Sequence, residues 1–357
     1  MADDTPSPFS GTRPVAPQHA FDAAKLAAFM REHVSGFEGA LAVEQFKGGQ
    51  SNPTFLLTAG GHRYVMRRKP PGALLPSAHA VEREFRVTRA LAATEVPVAR
   101  VHALYEDPSL IGTAFYVMDF VDGRILWDPT LPGMSAPERA AHYDEMNRVI
   151  AALHRVDPAT IGLADYGKPG HYIERQVARW TRQYRASETE RIEAADALID
   201  WLPRHVPQAG VARIVHGDYR LDNVIFHPTE PRILAVLDWE LSTLGDPLAD
   251  FAYNGMRWHL PPPGGLAGAD LAALGIPIEA DYLRRYLDRV DSPRNPNPDE
   301  WTYYLVFNMF RLVGILQGVT ARALQGNASS AQAIETGRRT RPLAEQAWAL
   351  AQRIGKG

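Results

Sequence analysis

The chain has 357 residues, of which 45% are hydrophobic and 22% charged, a composition typical of a globular protein with a sizeable core. Its formal net charge of -3 argues against a general nucleic-acid-binding protein. Because the chain contains no cysteine, disulfide bonds, thiolate nucleophiles and cysteine-ligated metals are excluded. This composition fits a reducing compartment, and we expect the protein to be cytoplasmic.

The first third of the chain has the pattern of a sheet with one inserted helix. Residues 1–20 are rich in Pro, Ser, Thr and Asp and have no apolar run, so we expect a disordered leader. The predicted elements after it are a helix at 21–34, strands at 42–46, 55–57 and 64–67, a helix at 78–93, and strands at 98–105 and 114–121. The segment Ala59-Gly60-Gly61-His62 predicts a hairpin between the strands at 55–57 and 64–67. Residues 21–121 are therefore predicted to form a small β-rich lobe.

After a connector near Asp119–Gly123, helical patterns predominate, and we predict a second, larger and mainly helical lobe over 122–357. The helices are predicted at 136–154, 172–184, 189–202, 281–288 and 301–324. One β-rich island, 214–238, interrupts them. The segment 301–324 is apolar enough to span a membrane, but it carries Asn308, Arg311, Gln317 and Arg322 at several angular positions, so we expect a buried helix and no membrane partner.

The island at 214–238 carries the strongest chemical signal. It begins with His216-Gly217-Asp218-Tyr219-Arg220-Leu221-Asp222-Asn223, continues as a strand, turns at 228–231 and returns to Asp238. A β-hairpin brings its two ends together, so we expect Asp218, Asn223 and Asp238 to converge. Hard oxygen ligands for Mg²⁺, with a separate carboxylate to orient an attacking hydroxyl, are the groups that phosphoryl transfer requires.

These segments resemble the catalytic and metal-binding segments of the aminoglycoside phosphotransferase-like kinases, which are related to protein and choline kinases. The resemblance implies an α+β, two-lobed protein-kinase-like fold and the use of ATP and Mg²⁺. It assigns Asp218 as the catalytic base, and Asn223 and Asp238 as metal ligands. Arg220 lies where protein kinases carry a lysine that faces the transferred group, so we expect it to stabilise charge. Asp250 also matches the family and is expected to brace the catalytic loop.

The resemblance also implies a nucleotide-binding region in the first lobe. The family expects a basic residue on the strand at 64–67; Arg67 matches by position, and Lys69 is the alternative with the usual side chain. Glu84 is the expected ion-pair partner, since Glu82 points about 100° away from the apolar face of its helix. Backbone amides of the loop at 48–52 are expected to cover phosphates, and the connector to meet the adenine. The residues concerned are Gly48, Gly49, Ser51, Asn52, Met118, Asp119, Phe120 and Val121.

A narrower resemblance concerns the acceptor. The segments YVMRRKPPG at 64–72 and RQVARW at 175–180 are similar to the kinase domains found fused to, or encoded near, acyl-CoA dehydrogenases. This implies a small hydroxylated acyl substrate, a hydroxyacyl-CoA or the free hydroxy acid, and a functional link to such a dehydrogenase. A polycationic aminoglycoside should meet an acidic pocket, whereas Arg175, Arg179 and Arg182 form a basic stripe near helical spacing.

Three other hypotheses about the function remain open. One is an aminoglycoside or other amino-alcohol phosphotransferase. Another is a nucleotide-binding pseudokinase module, which the arginine at position 67 favours and the retention of Asp218 opposes. The third is a metal-dependent hydrolase with His216, Asp218, Asp238 and Asp246 as ligands. Against it, none of the histidines at 154, 171 and 205 supplies a metal-ligand spacing.

Overall fold

The computed structural model describes residues 11–47, 52–72, 79–168, 170–291, 295–324 and 337–355. The chain divides into two compact units, and each is built from several chain segments. The first consists of Met1–Val149, Ile161–Leu163 and Leu221–Ser242. The second consists of Ile150–Thr160, Ala164–Arg220 and Thr243–Gly357.

A six-stranded antiparallel sheet organises the first unit, with the strand order β1-β2-β3-β4-β6-β5. Its strands are β1 (Thr12–Arg13), β2 (Ala42–Phe46), β3 (Thr54–Ala59), β4 (His62–Arg68), β5 (Val101–Tyr105) and β6 (Phe115–Asp119). Strands β3 and β4 form the hairpin predicted from Gly60 and Gly61, both of which have positive φ. Strand β4 therefore has a neighbour on both sides.

The two faces of this sheet are covered by different helices. Helix α1 (Ala23–His33) begins at Asp22, whose carboxylate accepts hydrogen bonds from two backbone amides of the first turn, and packs Leu26 and Met30 into one core. Helix α2 (Val81–Leu91) packs Val81 into a second core that also contains Val65 of β4. Residues that alternate along β4 thus face different helices, which fixes the direction of each side chain.

Part of the expected leader forms regular structure, so the prediction of disorder is wrong for residues 11–20, while residues 1–10 lie outside the described residues. Thr12 and Arg13 pair with Phe46 and Gln45 and add an edge strand to the sheet. The Gln45 side chain also accepts a hydrogen bond from the amide of Ala16. These contacts are made to residues about thirty positions away, so the local composition gave no sign of them.

The first unit also contains the hairpin predicted within the β-rich island. Strands β8 (Val224–Phe226) and β9 (Ile233–Val236) are antiparallel, with Val224 opposite Val236. The Arg124 amide and carbonyl bond to Phe226, which fastens the hairpin to the segment that follows β6. Gly123 lies so close to Phe226 that an added Cβ would clash with its carbonyl oxygen, so only glycine fits there.

Helices dominate the second unit, as predicted. In chain order they are α4 (Tyr172–Ala186), α5 (Glu193–Trp201), α6 (Pro247–Gly255), α7 (Leu271–Leu274), α8 (Glu279–Val290), α9 (Pro298–Leu324) and α10 (Thr340–Ala351); α3 (Ala136–Arg155) contributes residues to both units. A two-stranded antiparallel sheet joins β7 (Arg213–Val215) to β10 (Thr243–Gly245). The sequence analysis identified neither α6 nor α10.

Helix α9 is the apolar segment that raised the question of a membrane. It is the one helix among the described residues that passes a test of length and hydropathy for a span. Of its most apolar stretch of 18 residues, 72% is buried. Its polar residue Asn308 is fully buried and donates hydrogen bonds to the carbonyl groups of Ala249 and Tyr304. Helix α9 is therefore mostly buried, and its Asn308 side chain is hydrogen-bonded, as expected for a helix of the core.

Candidate active site

The hairpin brings two of the predicted functional residues together. Asn223 precedes β8, and Asp238 lies two residues beyond the end of β9. The Leu237 amide donates a 2.8 Å hydrogen bond to the Asn223 carbonyl, so the two ends of the hairpin meet. Asp238 has a left-handed backbone conformation with φ of +63°. Aspartate tolerates this conformation better than most residues, and such strain often marks functional positions.

An ion-pair network surrounds Asp238 within the first unit. Arg67, on β4, makes a 3.1 Å contact to Glu84 of α2 and a 3.0 Å contact to Asp238. The guanidinium is 11% exposed and the Glu84 side chain 1% exposed. Burial alone would lower the pKa of Arg67, but the two carboxylates outweigh it and hold that pKa above its usual range. The expected pairing of Arg67 with Glu84 is present, while its role toward phosphates stays a prediction.

Two further side chains fix Glu84 in place. Asn52, which is fully buried, donates a 2.7 Å hydrogen bond to one carboxylate oxygen, and the Tyr116 hydroxyl donates a 3.1 Å bond to the other. Glu84 therefore has partners on both oxygens, as a buried charge requires. The predicted nucleotide contact of Asn52 stays a prediction; what the structure adds is that its side chain positions Glu84. The sequence analysis missed Tyr116, which alternation along β6 would have placed on the α2 side of the sheet.

The alternative phosphate anchor, Lys69, lies in a different environment. Its ammonium group pairs with Glu82 at 2.9 Å, and the two side chains are 27% and 35% exposed. The two basic residues therefore select different glutamates: Arg67 the buried one and Lys69 the partly exposed one. Because Arg67 also contacts the Asp238 carboxylate, this geometry favours Arg67 over Lys69 as the phosphate anchor.

The connector after β6 has a definite hydrogen-bond pattern. The Asp119 amide donates to the Arg100 carbonyl and the Phe120 amide to the Arg63 carbonyl. Phe120 stacks on Phe46 with a centroid separation of 6.5 Å. The Met118 side chain is buried in the α2-side core. Of the backbone donors predicted to meet adenine, the Val121 amide is the one that donates to no described residue. Gly48, Gly49 and Ser51 lie outside the described residues.

In the second unit, the loop around Asp218 is held by buried charges. The Asp250 carboxylate accepts hydrogen bonds from the amides of His216 and Gly217, at 2.6 and 2.7 Å. His154 also bonds to Asp250, at 3.1 Å. Burial would raise the pKa of Asp250, but these hydrogen bonds and the neighbouring histidines hold it below its usual range. Gly217 has a φ of +84°, a conformation that glycine adopts without strain. These contacts agree with the expectation that Asp250 braces this loop.

In the second unit, Asp218 contacts His216, Arg220 and Tyr253. Its amide donates a hydrogen bond to Nδ1 of His216. The His216 side chain is fully buried and stabilises the loop through this bond. The Asp218 carboxylate lies 3.4 Å from Nε of Arg220. It also accepts a hydrogen bond from Tyr253 of α6, and burial together with the Asp218 charge raises the pKa of that phenol. The position of Asp218 relative to Asn223 and Asp238 stays a prediction.

Sequence reasoning missed Tyr253, and it did not connect Arg311 with Asp218. Arg311, on α9, is 6% exposed and donates to the Gly217 carbonyl. Its guanidinium lies 4.7 Å from the centre of the Tyr253 ring. The helical spacing of α6 placed Tyr253 three residues after Asp250, a signal that would have identified it had α6 been predicted.

The predicted basic stripe on α4 divides into residues with different partners. Arg175 donates to the backbone carbonyls of Lys168 and Gly170, so it fastens the loop before the helix. Arg179 lies 5.5 Å from the centre of the Trp180 ring and has no ion pair with any described residue. Arg182 lies near enough to Arg179 to lower its pKa, after the larger effects of burial and of Arg311.

Comparison with known proteins points to one family. Residues 42–287 match the model of the phosphotransferase enzyme family. A crystal structure of a candidate aminoglycoside phosphotransferase from Ralstonia eutropha JMP134 is 58% identical, with a TM-score of 0.86 and coverage of 94% of this chain and 99% of that one. The aminoglycoside phosphotransferase APH(4)-Ia, solved as a variant with ADP and hygromycin B, is 18% identical with a TM-score of 0.59, covering 92% of this chain and 98% of that one. The α+β, kinase-like fold class is thereby confirmed.

A curated relative is considerably longer. Acyl-CoA dehydrogenase family member 10 of Mus musculus is 48% identical over 321 residues, which cover 89% of this chain and 30% of the mouse protein. The chain thus spans less than a third of that relative, and the similarity concerns that part alone.

Proposed function

The chain belongs to the phosphotransferase enzyme family, and from this premise we propose that it is a kinase that transfers the γ-phosphoryl group of ATP to a hydroxyl group of a small molecule in the cytoplasm. The observation that carries the proposal is the retention of Asp218 in a loop held by Asp250. Two backbone amides of this loop donate to one buried carboxylate, so the loop is preorganised before any substrate arrives.

Asp218 is proposed to accept the proton of the attacking hydroxyl and to orient that hydroxyl. Its hydrogen bond with Tyr253 and its contact with Arg220 restrict the directions in which the carboxylate can point. Arg220, whose side chain is 41% exposed, is proposed to interact with the negative charge that develops on the transferred group. Positioning and charge neutralisation are expected to supply most of the catalysis.

The donor set on the hairpin fits a magnesium ion. Asn223 offers an amide oxygen and Asp238 a carboxylate whose side chain is 32% exposed, and Mg²⁺ in nucleotide sites uses few protein oxygens besides phosphates and water. Oδ1 of Asp238 contacts Arg67, and Oδ2 has no partner among the described residues. When bound, Mg²⁺ would neutralise phosphate charge. Arg67 is proposed to contact the phosphates, and the Val121 amide the adenine.

For the acceptor we propose a hydroxyacyl compound, either a hydroxyacyl-CoA or the free hydroxy acid. The mouse relative is named as an acyl-CoA dehydrogenase family member, which supports a link to acyl chemistry. The uncompensated positive charge of Arg179, on the unit that carries Asp218, also favours an anionic acceptor. An aminoglycoside is the second candidate, supported by the description of the Ralstonia protein and by the APH(4)-Ia complex with hygromycin B.

The decisive experiment is an ATP-consumption screen of the full chain against hydroxyacyl-CoAs, hydroxy acids, aminoglycosides and choline-like alcohols, each with and without Mg²⁺. We expect Mg²⁺-dependent transfer to a hydroxyacyl compound, verified by mass spectrometry of the phosphorylated product. Binding of Mg-ATP without transfer to any acceptor would support a pseudokinase module instead. Transfer to aminoglycosides alone would replace the acyl acceptor with the second candidate.

A further inference from the structure

Two arginines lie against one indole ring in the second unit. The guanidinium of Arg179 is 5.5 Å from the centre of the Trp180 ring, and that of Arg311 is 5.4 Å from it. Arg311 also lies over the ring of Tyr253. The aromatic rings attract each cation. They do not remove the repulsion between the two positive charges, so the arrangement calls for an anion.

Arg311 lacks a counterion of its own. Its side chain is in the core of the unit, yet it forms no ion pair with any residue that the structure describes. One of its nitrogens donates to the Gly217 carbonyl, while its Nε has no hydrogen-bond partner. A buried charge is normally paired, because leaving it unpaired costs free energy. Binding an oxyanion would satisfy both the charge and the free donor.

The pair of arginines is also asymmetric in exposure. Arg179 is exposed, whereas Arg311 is buried behind Trp180 and Tyr253. Both guanidinium groups lie against Trp180, and the pKa of Arg179 is lowered by partial burial first and by the charge of Arg311 second. A ligand from solvent would therefore meet Arg179 first and reach toward Arg311.

This basic pair is connected directly to Asp218. Arg311 contacts Gly217, the residue before Asp218, and stacks on Tyr253, which hydrogen-bonds to the Asp218 carboxylate. One tyrosine side chain thus separates the arginine from the proposed base. An acceptor held through an anionic group at Arg311 would lie near the carboxylate that must accept its hydroxyl proton.

We propose that Arg179 and Arg311, which lie against the rings of Trp180 and Tyr253, are an acceptor subsite that binds an oxyanion of the substrate. The proposal rests on the proposed function and sharpens it, because it requires an acceptor that carries both a hydroxyl and an anionic group. The oxyanion is either the carboxylate of a hydroxy acid or a phosphate of a coenzyme A ester. A neutral alcohol lacks this interaction.

The test compares three acceptors of the same carbon skeleton: 4-hydroxypentanoate, its coenzyme A ester, and 1,4-pentanediol. Binding to the full chain with Mg-ADP is measured by calorimetry, and transfer from ATP is measured as kcat and KM. The variants are Arg179→Met, Arg311→Lys, and the control Arg284→Met, which removes an exposed arginine paired with Asp281. Arg179 is exposed, so its variant should fold even where a change at Arg311 does not.

The wild-type chain should prefer an anionic acceptor to the diol. Loss of a hydrogen bond to a charged group decreases affinity by about ten- to a hundredfold. Arg179→Met and Arg311→Lys should therefore lower the affinity for the anionic acceptor by this factor, mainly through an increase in KM. The diol and the Arg284→Met control should be unaffected. A selective effect on 4-hydroxypentanoate identifies the carboxylate as the oxyanion, and a selective effect on the ester identifies a phosphate.

Equal losses for all three acceptors would overturn the subsite, because they would indicate a general role in the loop or at the transferred phosphate. Absence of any wild-type preference for the anionic compounds would also overturn it. Calorimetry separates the subsite from the proposed function. Anion binding that is lost in the variants, without transfer in the wild type, would support the subsite and contradict the kinase assignment.

Discussion

Two arginines with little exposure, Arg67 in the first unit and Arg311 in the second, have opposite surroundings. Arg67 in the first unit meets two carboxylates, and Glu84 in turn has partners on both oxygens. Arg311 in the second unit meets aromatic rings, a carbonyl group and a second cation. A network with balanced charge can be fixed before ligands bind. A cluster with excess positive charge is suited to a ligand that brings the missing negative charge.

We expect loss of the Asp218 carboxylate to have the largest effect on the rate of phosphoryl transfer and the smallest effect on nucleotide affinity. Asp218→Ala removes the proposed base, and general base catalysis typically contributes about 10²–10⁴-fold. We expect kcat to fall by at least this factor, while calorimetry shows Mg-ADP affinity close to that of the wild type. Asp238→Ala is the matched variant, and it should instead weaken the binding of Mg-ADP. Substantial residual turnover of Asp218→Ala would contradict its role.

Replacing Arg67 should test whether the balanced network stabilises the first unit. Arg67→Ala leaves the buried charge of Glu84 unpaired, and breaking such a pair typically costs about 3–5 kcal/mol. Lys69→Ala breaks the partly exposed pair with Glu82 and should cost at most about 1 kcal/mol. Urea denaturation followed by tryptophan fluorescence measures both. Similar losses in the two variants would show that the network is not the stabilising element.

Asp250 should give the loop of Asp218 a characteristic pH dependence. Its pKa is lower in the folded protein than its unfolded value near 3.9, so its stabilising contribution is fully present above about pH 4 and is lost as the pH falls through the folded pKa. Asp250→Asn should cost about 1.5–3 kcal/mol at pH 7, the range for hydrogen bonds to a charged group. Unfolding free energies measured between pH 7 and pH 3 should fall less steeply in the variant; an unchanged slope would argue against this contribution.

Tyr253 should have the smallest of these effects. Tyr253→Phe removes one hydrogen bond to the Asp218 carboxylate, worth about 1.5 kcal/mol at the lower end of the range for a charged group, so kcat should fall roughly tenfold with little change in the KM for ATP. Tyr303→Phe is the control, because its hydroxyl donates to the Leu202 carbonyl instead. The control should lose stability without losing kcat. Equal kcat values in the two variants would show that Tyr253 does not position the base.

Much of the fold followed from local patterns. Period-two alternation with Gly60-Gly61 predicted β3 and β4, and the turn at 228–231 predicted the hairpin of β8 and β9. Helix α6 was not predicted from the sequence because all of its residues except Pro247 are buried, so it has no solvent-exposed polar face. The edge strand at Thr12 escaped because its pairing depends on β2 and not on its own residues.

The sequence by itself led to the proposed chemistry of this protein, because Asp218, Asn223 and Asp238 belong to short segments whose spacing and intervening hairpin are local. It also narrowed the phosphate anchor to Arg67 or Lys69, since the side chains of β4 alternate between its faces. Only the tertiary structure decided that Arg67 pairs with Glu84 and Lys69 with Glu82. It also decided that Asn52 and Tyr116 donate hydrogen bonds to Glu84. It alone joined Tyr253 and Arg311 to Asp218, because long-range packing of α6 and α9 brings together residues that are far apart in the chain.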